Sequence, residues 1–297
     1  MKQNTIYHNE AIEPSELIVT PRGAIYHINL RPEEIADDII VVGDQNRVKR
    51  VSQHFDSIDY KLENREFVTH TGRIGDKKLT VMSTGIGCDN IDIVVNELDA
   101  LVNIDLETKK LNEQHKQLNI IRLGTSGALQ EDIPVDSFVI SSHGLGFDGL
   151  MNFYEASYSE AELALKDAFI KHTKWSDELN PPYFVEGSQM LIDKIGADMI
   201  KGITATAHGF YGPQGRILRL NPKIEGLNEK LTKFNHNGHR ITNFEMETSA
   251  LYGLSASLGH NACTVCAIIA NRFKKEYSKD YKLAVDKLIE KLLTSLA

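Results

Sequence analysis

Apolar runs and amphipathic stretches take turns along the chain. Ile39-Ile40-Val41-Val42 reads as a short buried strand, followed by the turn Gly43-Asp44 and a helix with Val48 and Val51 on one face. Glu66 to Thr71 and Lys78 to Ser83 predict a hairpin around a turn from Gly72 to Lys77. Ile91, Val94, Val95, Leu98, Leu101 and Val102 line one face of a second helix, and the polar stretch from Asn103 to Gln117 reads as its solvated extension or as an excursion from it. Asn119 to Arg122 reads as a buried strand that ends in Arg, followed by Gly-Thr-Ser-Gly up to Gly127, and Val135 to Ser142 predicts another strand, leading into a loop from Gly144 to Asn152. Ser159 to His172 predicts a helix with Ser159 as its N-cap. Gly202 to Ala207 and Ala262 to Ile269 read as buried strands, the second running on to Arg272. Helices are predicted for Ala250 to Leu258 and Ser278 to Leu296.

Strands alternating with helices, with no repeat and no low-complexity linker, imply an α/β fold around a mixed sheet. Residues 1–37 are polar and carry Pro14, Pro21 and Pro32, so they read as an arm on the surface. Residues 38–297 read as a single domain with a polar insertion at about 103–117.

Composition narrows the function classes. Hydrophobic content of 41% and charged content of 25% suit a globular protein, and a net charge of −8 with no basic stripe argues against a nucleic-acid surface. No apolar run reaches membrane-spanning length, and no basic-then-apolar leader is evident. Three cysteines do not make a disulfide framework, so a reducing cytoplasm is the expected setting. His260, Cys263 and Cys266 approach zinc spacing, but residues three apart on a strand face opposite sides and no fourth ligand is in view. His236 and His239 lie in a polar Asn/Gly stretch and are not read as ligands either.

The candidate chemistry centres on Gly209-Phe210-Tyr211-Gly212-Pro213-Gln214-Gly215-Arg216. Its aromatics can cover a flat ring, Gln214 offers an acceptor and two donors, and Arg216 offers donors only. Such a loop can read the edge of a small heterocycle; it is also what a surface turn looks like. Arg122, inside an apolar run that ends in Gly-Thr-Ser-Gly, needs an anion or a carboxylate beside it. Both an oxyanion pocket and an internal Arg–Glu pair satisfy that need. Glu245 and Glu247, at a strand-to-helix junction, can accept hydrogen bonds from paired sugar hydroxyls or lie on the surface. Gly43 and Arg47 at a helix start suit an anion. Gly85 and Gly87 suggest a dinucleotide turn, but Asn90 stands where the third glycine belongs. Ile25-Tyr26-His27-Ile28 is an apolar island bearing an imidazole.

In this order the motifs resemble the nucleoside phosphorylase family, and its uridine-cleaving members in particular. The matching text is Val42 to Arg47, Asn64 to Phe67, Ser83 to Gly87, Arg122 to Thr125, Phe210 to Arg216 and Phe244 to Glu247. The resemblance implies a three-layer α/β/α sandwich around a mixed central β-sheet, and reversible phosphorolysis of uridine to uracil and ribose 1-phosphate. It assigns phosphate to Gly43, Arg47, Arg122 and Thr125, with Arg65 from a neighbouring subunit. It assigns ribose to Glu245, Met246 and Glu247, with Tyr26 and His27 of the neighbour over the 5′ end. It assigns uracil to Phe210, Gln214, Arg216, Ile269 and Ala270. Arg216, Gln214, Arg122 and Glu247 are the expected catalytic set.

No metal or organic cofactor is implied; inorganic phosphate is a co-substrate. The expected partners are the small molecules and further copies of the chain, as a dimer or a hexamer built from dimers. Some bacterial members hold potassium between subunits at positions matching Glu66, Ile86 and Asn90, and Asn90 stands in place of their serine, which leaves that ion undecided. Gln45 replaces a usual proline, and Cys88-Asp89-Asn90 replaces a Gly/Pro/Ser run. A purine nucleoside enzyme, a nucleoside hydrolase and a silent nucleoside-binding homologue are the competing readings.

Overall fold

The computed structural model describes residues 10–296, and the first nine residues of the expected arm lie outside that range. The chain divides into two compact units, residues 1–85 with 92–119 and residues 86–91 with 120–297.

In the first unit, β1 (Asp38–Val42) is buried throughout and leads through Gly43-Asp44 into α1 (Gln45–Ser52). The Asp44 side chain caps that helix by accepting the Asn46 N–H at 3.0 Å. β2 (Ser57–Asn64), β3 (Phe67–Ile74) and β4 (Lys77–Ser83) follow, and the strand order is β1-β4-β3-β2, parallel between β1 and β4 and antiparallel elsewhere. The expected hairpin is therefore present, but its turn is at Gly75-Asp76 rather than from Gly72 to Lys77. Gly72 belongs to the interior of β3, where an added Cβ would overlap the Ser57 carbonyl of β2.

α2 (Cys88–Asn103) does not continue into the polar stretch after it. β5 (Ile104–Asp105) and β6 (Lys110–Leu111) form a small antiparallel hairpin there. Asp105 Oδ1 accepts the N–H groups of Glu107 and Thr108 at 2.9 and 2.8 Å, and Lys109 takes a left-handed φ of 55°. An aspartate that bonds its own following backbone competes with the helix and makes a turn.

From Ala24 onward the arm is packed into the unit rather than wrapped on its surface. Ala24, Ile25, Ile28, Leu30, Ile35 and Ala36 are buried, and the Ala36 N–H donates to Thr80 Oγ1 at 2.8 Å. Upstream, the Ile12 N–H donates to the Lys109 carbonyl at 2.8 Å and Lys109 Nζ donates to the Leu17 carbonyl at 3.1 Å. The extension and the inserted hairpin thus hold each other.

In the second unit, β7 (Asn119–Ala128), β8 (Phe138–Gly146), α3 (Glu160–Thr173), β9 (Tyr183–Glu186), α4 (Gln189–Ile195) and β10 (Ile200–Thr206) are followed by a long irregular segment. α5 (Leu227–Lys233), β11 (Asn235–His236), β12 (His239–Glu245), α6 (Thr248–Leu258), β13 (Asn261–Asn271), β14 (Glu276–Tyr277) and α7 (Tyr281–Leu296) complete it. Neighbouring strands run β11-β12-β10-β8-β13-β7, and the end of β7 turns back to pair with β12 through Gly127 and Ala128. β12, β10, β8, β13 and β7 therefore close on themselves. Parallel pairs (β8–β10, β10–β12) and antiparallel pairs (β8–β13) share the sheet, as expected for a mixed α/β fold.

Helices cover both faces, the arrangement of an α/β/α sandwich. Ile140 packs against Gly196 at the end of α4, and Gly144 packs against Ser249 of α6. The register shift in the β8–β10 pairing between those two positions turns the strand over, so they face opposite ways. β8 runs through Gly144 and Gly146, which the sequence suggested were loop. A Cβ at Gly144 would stand 2.7 Å from the Ser249 Cα, and one at Gly146 would overlap the Tyr183 ring. These glycines let a helix and an aromatic ring approach a strand. Among the described residues, no helix is long and apolar enough to cross a membrane.

Candidate active site

β12 ends at Glu245 and α6 begins at Thr248, so Glu245-Met246-Glu247 is the connection between them. Glu245 is committed to the helix start. Its carboxylate accepts the N–H of Glu247 at 3.0 Å, the N–H of Thr248 at 3.1 Å and the Thr206 hydroxyl at 2.7 Å. The free N–H groups and positive end of α6 favour a negative group in that place.

Glu247 is held differently. One oxygen accepts the Gly87 N–H at 2.8 Å, and the other is hydrogen-bonded by Arg122 Nη2. Arg122 Nη1 lies 3.2 Å from a Glu245 oxygen and 3.5 Å from Cys266 Sγ on β13. The guanidinium curls back along its own strand, and a Cβ at Gly124 would overlap it. The Arg–Glu alternative left open by the sequence is realised, with two carboxylates rather than one.

Electrostatics follow from burial. Burial raises the Glu247 pKa; Arg122 opposes this and Glu245 adds to it, and the net direction is up. Burial works against the Arg122 charge, but Glu247 and Glu245 outweigh it and push its pKa up, so it stays a cation. Burial also pushes the Cys266 thiol up to about 11, which makes it a neutral neighbour. Met246 is half-buried, and its carbonyl accepts from Cys88 Sγ at 3.3 Å. Thr125 is half-buried three positions beyond Arg122.

The loop after β10 forms a second group in the same unit. Gly212–Gln214 makes a single 3-10 turn, and Gly215 follows with a left-handed φ of 67°. Gln214 is buried, whereas Phe210 and Tyr211 expose half of their surfaces and meet edge to face. Arg216 Nη1 donates to the Phe210 carbonyl at 2.6 Å and to Gln214 Oε1 at 2.5 Å. With its oxygen taken, Gln214 has its NH₂ group left to donate. Ile269 and Ala270 are half-buried on β13.

Sequence reasoning missed Arg272, the residue after β13. Its Cγ and Cδ pack against Gly127, and its N–H donates to the Ala128 carbonyl at 2.9 Å. Burial, and then the charge of Arg216, lower its pKa to about 10. A second arginine close enough to feel Arg216 makes this corner electropositive. The signal available in the sequence was a cation at the end of a buried run, close to the signal that marked Arg122 inside its own apolar run. Tyr211, Pro213 and Arg216 also line a cavity of about 840 Å³ together with Phe147 and Trp175.

The first unit carries the remaining candidates. Gly43 is half-buried in the β1–α1 turn, and Arg47 is buried in the first turn of α1. Arg65 takes a φ of 54° between β2 and β3. It is exposed, with its guanidinium 5.5 Å from the Tyr26 ring and Nη2 3.4 Å from the Tyr26 hydroxyl. His27 is partly exposed beside Glu97. Of the candidate cation ligands, Glu66 is half-buried in this unit, while Ile86 is exposed and Asn90 half-buried in the second. A carboxylate, a main-chain carbonyl and an amide oxygen are chemically suited to a hard monovalent ion.

Residues 37–297 match the family model described as Phosphorylase superfamily. The chain belongs to the phosphorylase superfamily. Within this superfamily it is 31% identical over 268 residues to a uridine phosphorylase of Thermococcus kodakarensis, a match that covers 88% of this chain and 82% of the relative. A uridine phosphorylase of Haemophilus influenzae is 24% identical over 279 residues, covering 91% and 96% of the two chains. Among solved structures, a Trypanosoma brucei nucleoside phosphorylase that shows uridine phosphorylase activity superimposes with a TM-score of 0.85. It is 29% identical and covers 94% of this chain and 99% of its own.

Proposed function

We propose that this superfamily member is a uridine phosphorylase, a pentosyltransferase that converts uridine and inorganic phosphate reversibly to uracil and ribose 1-phosphate. The observation that carries this reading is the joint presence, in one unit, of a donor-rich aromatic loop and a buried carboxylate–guanidinium pair. The resemblance to uridine phosphorylases over most of the chain supports it.

Phosphate attacks C1′ of the ribose as the bond from C1′ to uracil N1 breaks, and the electron pair leaves with the base. Positive charge builds on the sugar and negative charge on uracil. Gln214 and Arg216 donate hydrogen bonds to the uracil carbonyls, and preorganised donors of this kind stabilise the departing anion. Arginine is too basic to act as an ordinary general acid, so its part is electrostatic. Phe210 covers the ring, and Ile269 and Ala270 line its edge. Glu247 accepts from the 2′ and 3′ hydroxyls, with Met246 against the ribose and Glu245 beside them. Arg122 spends two donor contacts on carboxylates and one on Cys266 Sγ, and the remaining two of its five N–H groups serve phosphate. Thr125 of the same unit takes part with it, and the resemblance to the family also assigns phosphate to Gly43 and Arg47 and to Arg65 of a second copy.

The same second copy brings Tyr26 and His27 to the 5′ end, so the enzyme works as a homo-oligomer. Phosphate is a co-substrate and no organic cofactor takes part; any potassium at Glu66, Ile86 and Asn90 would brace an interface rather than enter the reaction. The setting is the cytoplasm. Phosphorus NMR of the protein with uridine and phosphate is expected to show a sugar-phosphate resonance growing as free phosphate falls. Free ribose appearing with phosphate unchanged would make the protein a hydrolase instead.

A further inference from the structure

One carboxylate organises the segment around His27. Glu97, on α2, accepts the backbone N–H of His27 at 3.0 Å on each oxygen and the backbone N–H of Ile28 at 2.8 Å. The same carboxylate lies 2.6 Å from His27 Nδ1. Asn64 Nδ2 donates to the His27 carbonyl at 2.7 Å, and the Ile28 side chain is buried. Main chain and ring are therefore fixed together, with 31% of the His27 side chain left exposed against 13% for Glu97.

A carboxylate accepts and does not donate, so Nδ1 carries the hydrogen in this contact. In the neutral ring Nε2 is then the acceptor. A histidine oriented this way receives a hydroxyl hydrogen well, whereas one free to rotate or to change tautomer does so only part of the time. Nothing about an amphipathic helix requires a glutamate at position 97.

We propose that Glu97 is a positioning residue that presents His27 Nε2 as the acceptor for the nucleoside 5′-hydroxyl in the adjoining subunit's site. Discrimination between a 5′-hydroxylated ribose and a 5′-deoxyribose then depends on Glu97 as much as on His27. This rests on the reading above that His27 covers the 5′ end.

The test compares uridine with 5′-deoxyuridine on the full-length protein and its Glu97→Ala, Glu97→Gln, His27→Ala and doubly substituted (Glu97→Ala with His27→Ala) variants. Loss of one neutral hydrogen bond is expected to lower kcat/KM for uridine about tenfold in Glu97→Ala, mainly through KM. Constants for 5′-deoxyuridine should hold within about twofold, the scale on which no hydrogen bond is lost. The double variant should match His27→Ala alone, because the two residues act as one unit. Glu97→Gln keeps an acceptor for Nδ1 and should fall between; being isosteric, it also carries the comparison if the alanine variant does not fold.

Equal losses on both substrates would mean a merely structural glutamate and would overturn the proposal. Discrimination lost in His27→Ala but kept in both Glu97 variants would overturn it while leaving the role of His27 intact. Discrimination kept in His27→Ala would remove that role, and the proposal with it.

Discussion

The Arg216 guanidinium lies 3.7 Å from the centre of the Phe210 ring, and its Nη1 also holds the Phe210 carbonyl. The loop therefore braces its own donors: aromatic face, amide and guanidinium are tied into one short turn. A cation–π contact of this kind contributes about 1 kcal/mol. Phe210→Ala removes it together with the ring cover. Steady-state kinetics should show kcat/KM for uridine falling at least tenfold, while KM for phosphate stays close to wild type.

Gln214 is buried and has its oxygen committed to Arg216. If its amide steadies the departing uracil, Gln214→Ala should lower kcat on the order of a hundredfold, as expected for loss of one preorganised donor. A variant that changes only KM would place Gln214 in ground-state binding alone.

The buried Glu247 sets the acid side of the pH profile. Its pKa is raised, so on acidification it gains a proton earlier than an ordinary glutamate and stops accepting from both ribose hydroxyls. The acid limb of kcat/KM should therefore lie above the ordinary glutamate range near 4.3. Glu247→Gln should lower activity and abolish that limb. Linkage has the same sign: a raised carboxylate pKa favours the folded state most below the unfolded value, and the advantage fades as pH rises through the folded one.

Gly124 gives room for the Arg122 guanidinium to fold back toward Glu247. Gly124→Ala forces it away and leaves buried charges poorly paired. Breaking a buried pair by removing one partner costs about 3–5 kcal/mol, and displacement should cost part of that. Thermal melting should show a lowered Tm, and the KM for phosphate should rise more than the KM for uridine.

Much of this was legible before the structure. Short β-branched runs such as Ile39 to Val42 announced their strands, and Gly43 and Glu245 stand where strands end, whereas Arg122, expected at the end of its strand, is inside β7, which runs on to Ala128. What escaped followed from context. β2 alternates apolar Ile58, Tyr60 and Leu62 with charged or polar neighbours, but neither face is fully buried, so its pattern is faint. Gly144 and Gly146 looked like loop because their partners, α6 and Tyr183, lie far away in the sequence. The arm looked like surface because prolines hid its short buried stretches. Arg122 and Glu247 are 125 positions apart, and their pairing is a fact of the fold alone. Arg272 needed the position of Arg216 to acquire meaning.

The most direct measurement is uracil release from uridine with and without inorganic phosphate, beside inosine and adenosine. The account predicts release from uridine that rises with phosphate and vanishes without it, and little turnover of either purine nucleoside. Release that ignores phosphate, or turnover confined to a purine nucleoside, would contradict it.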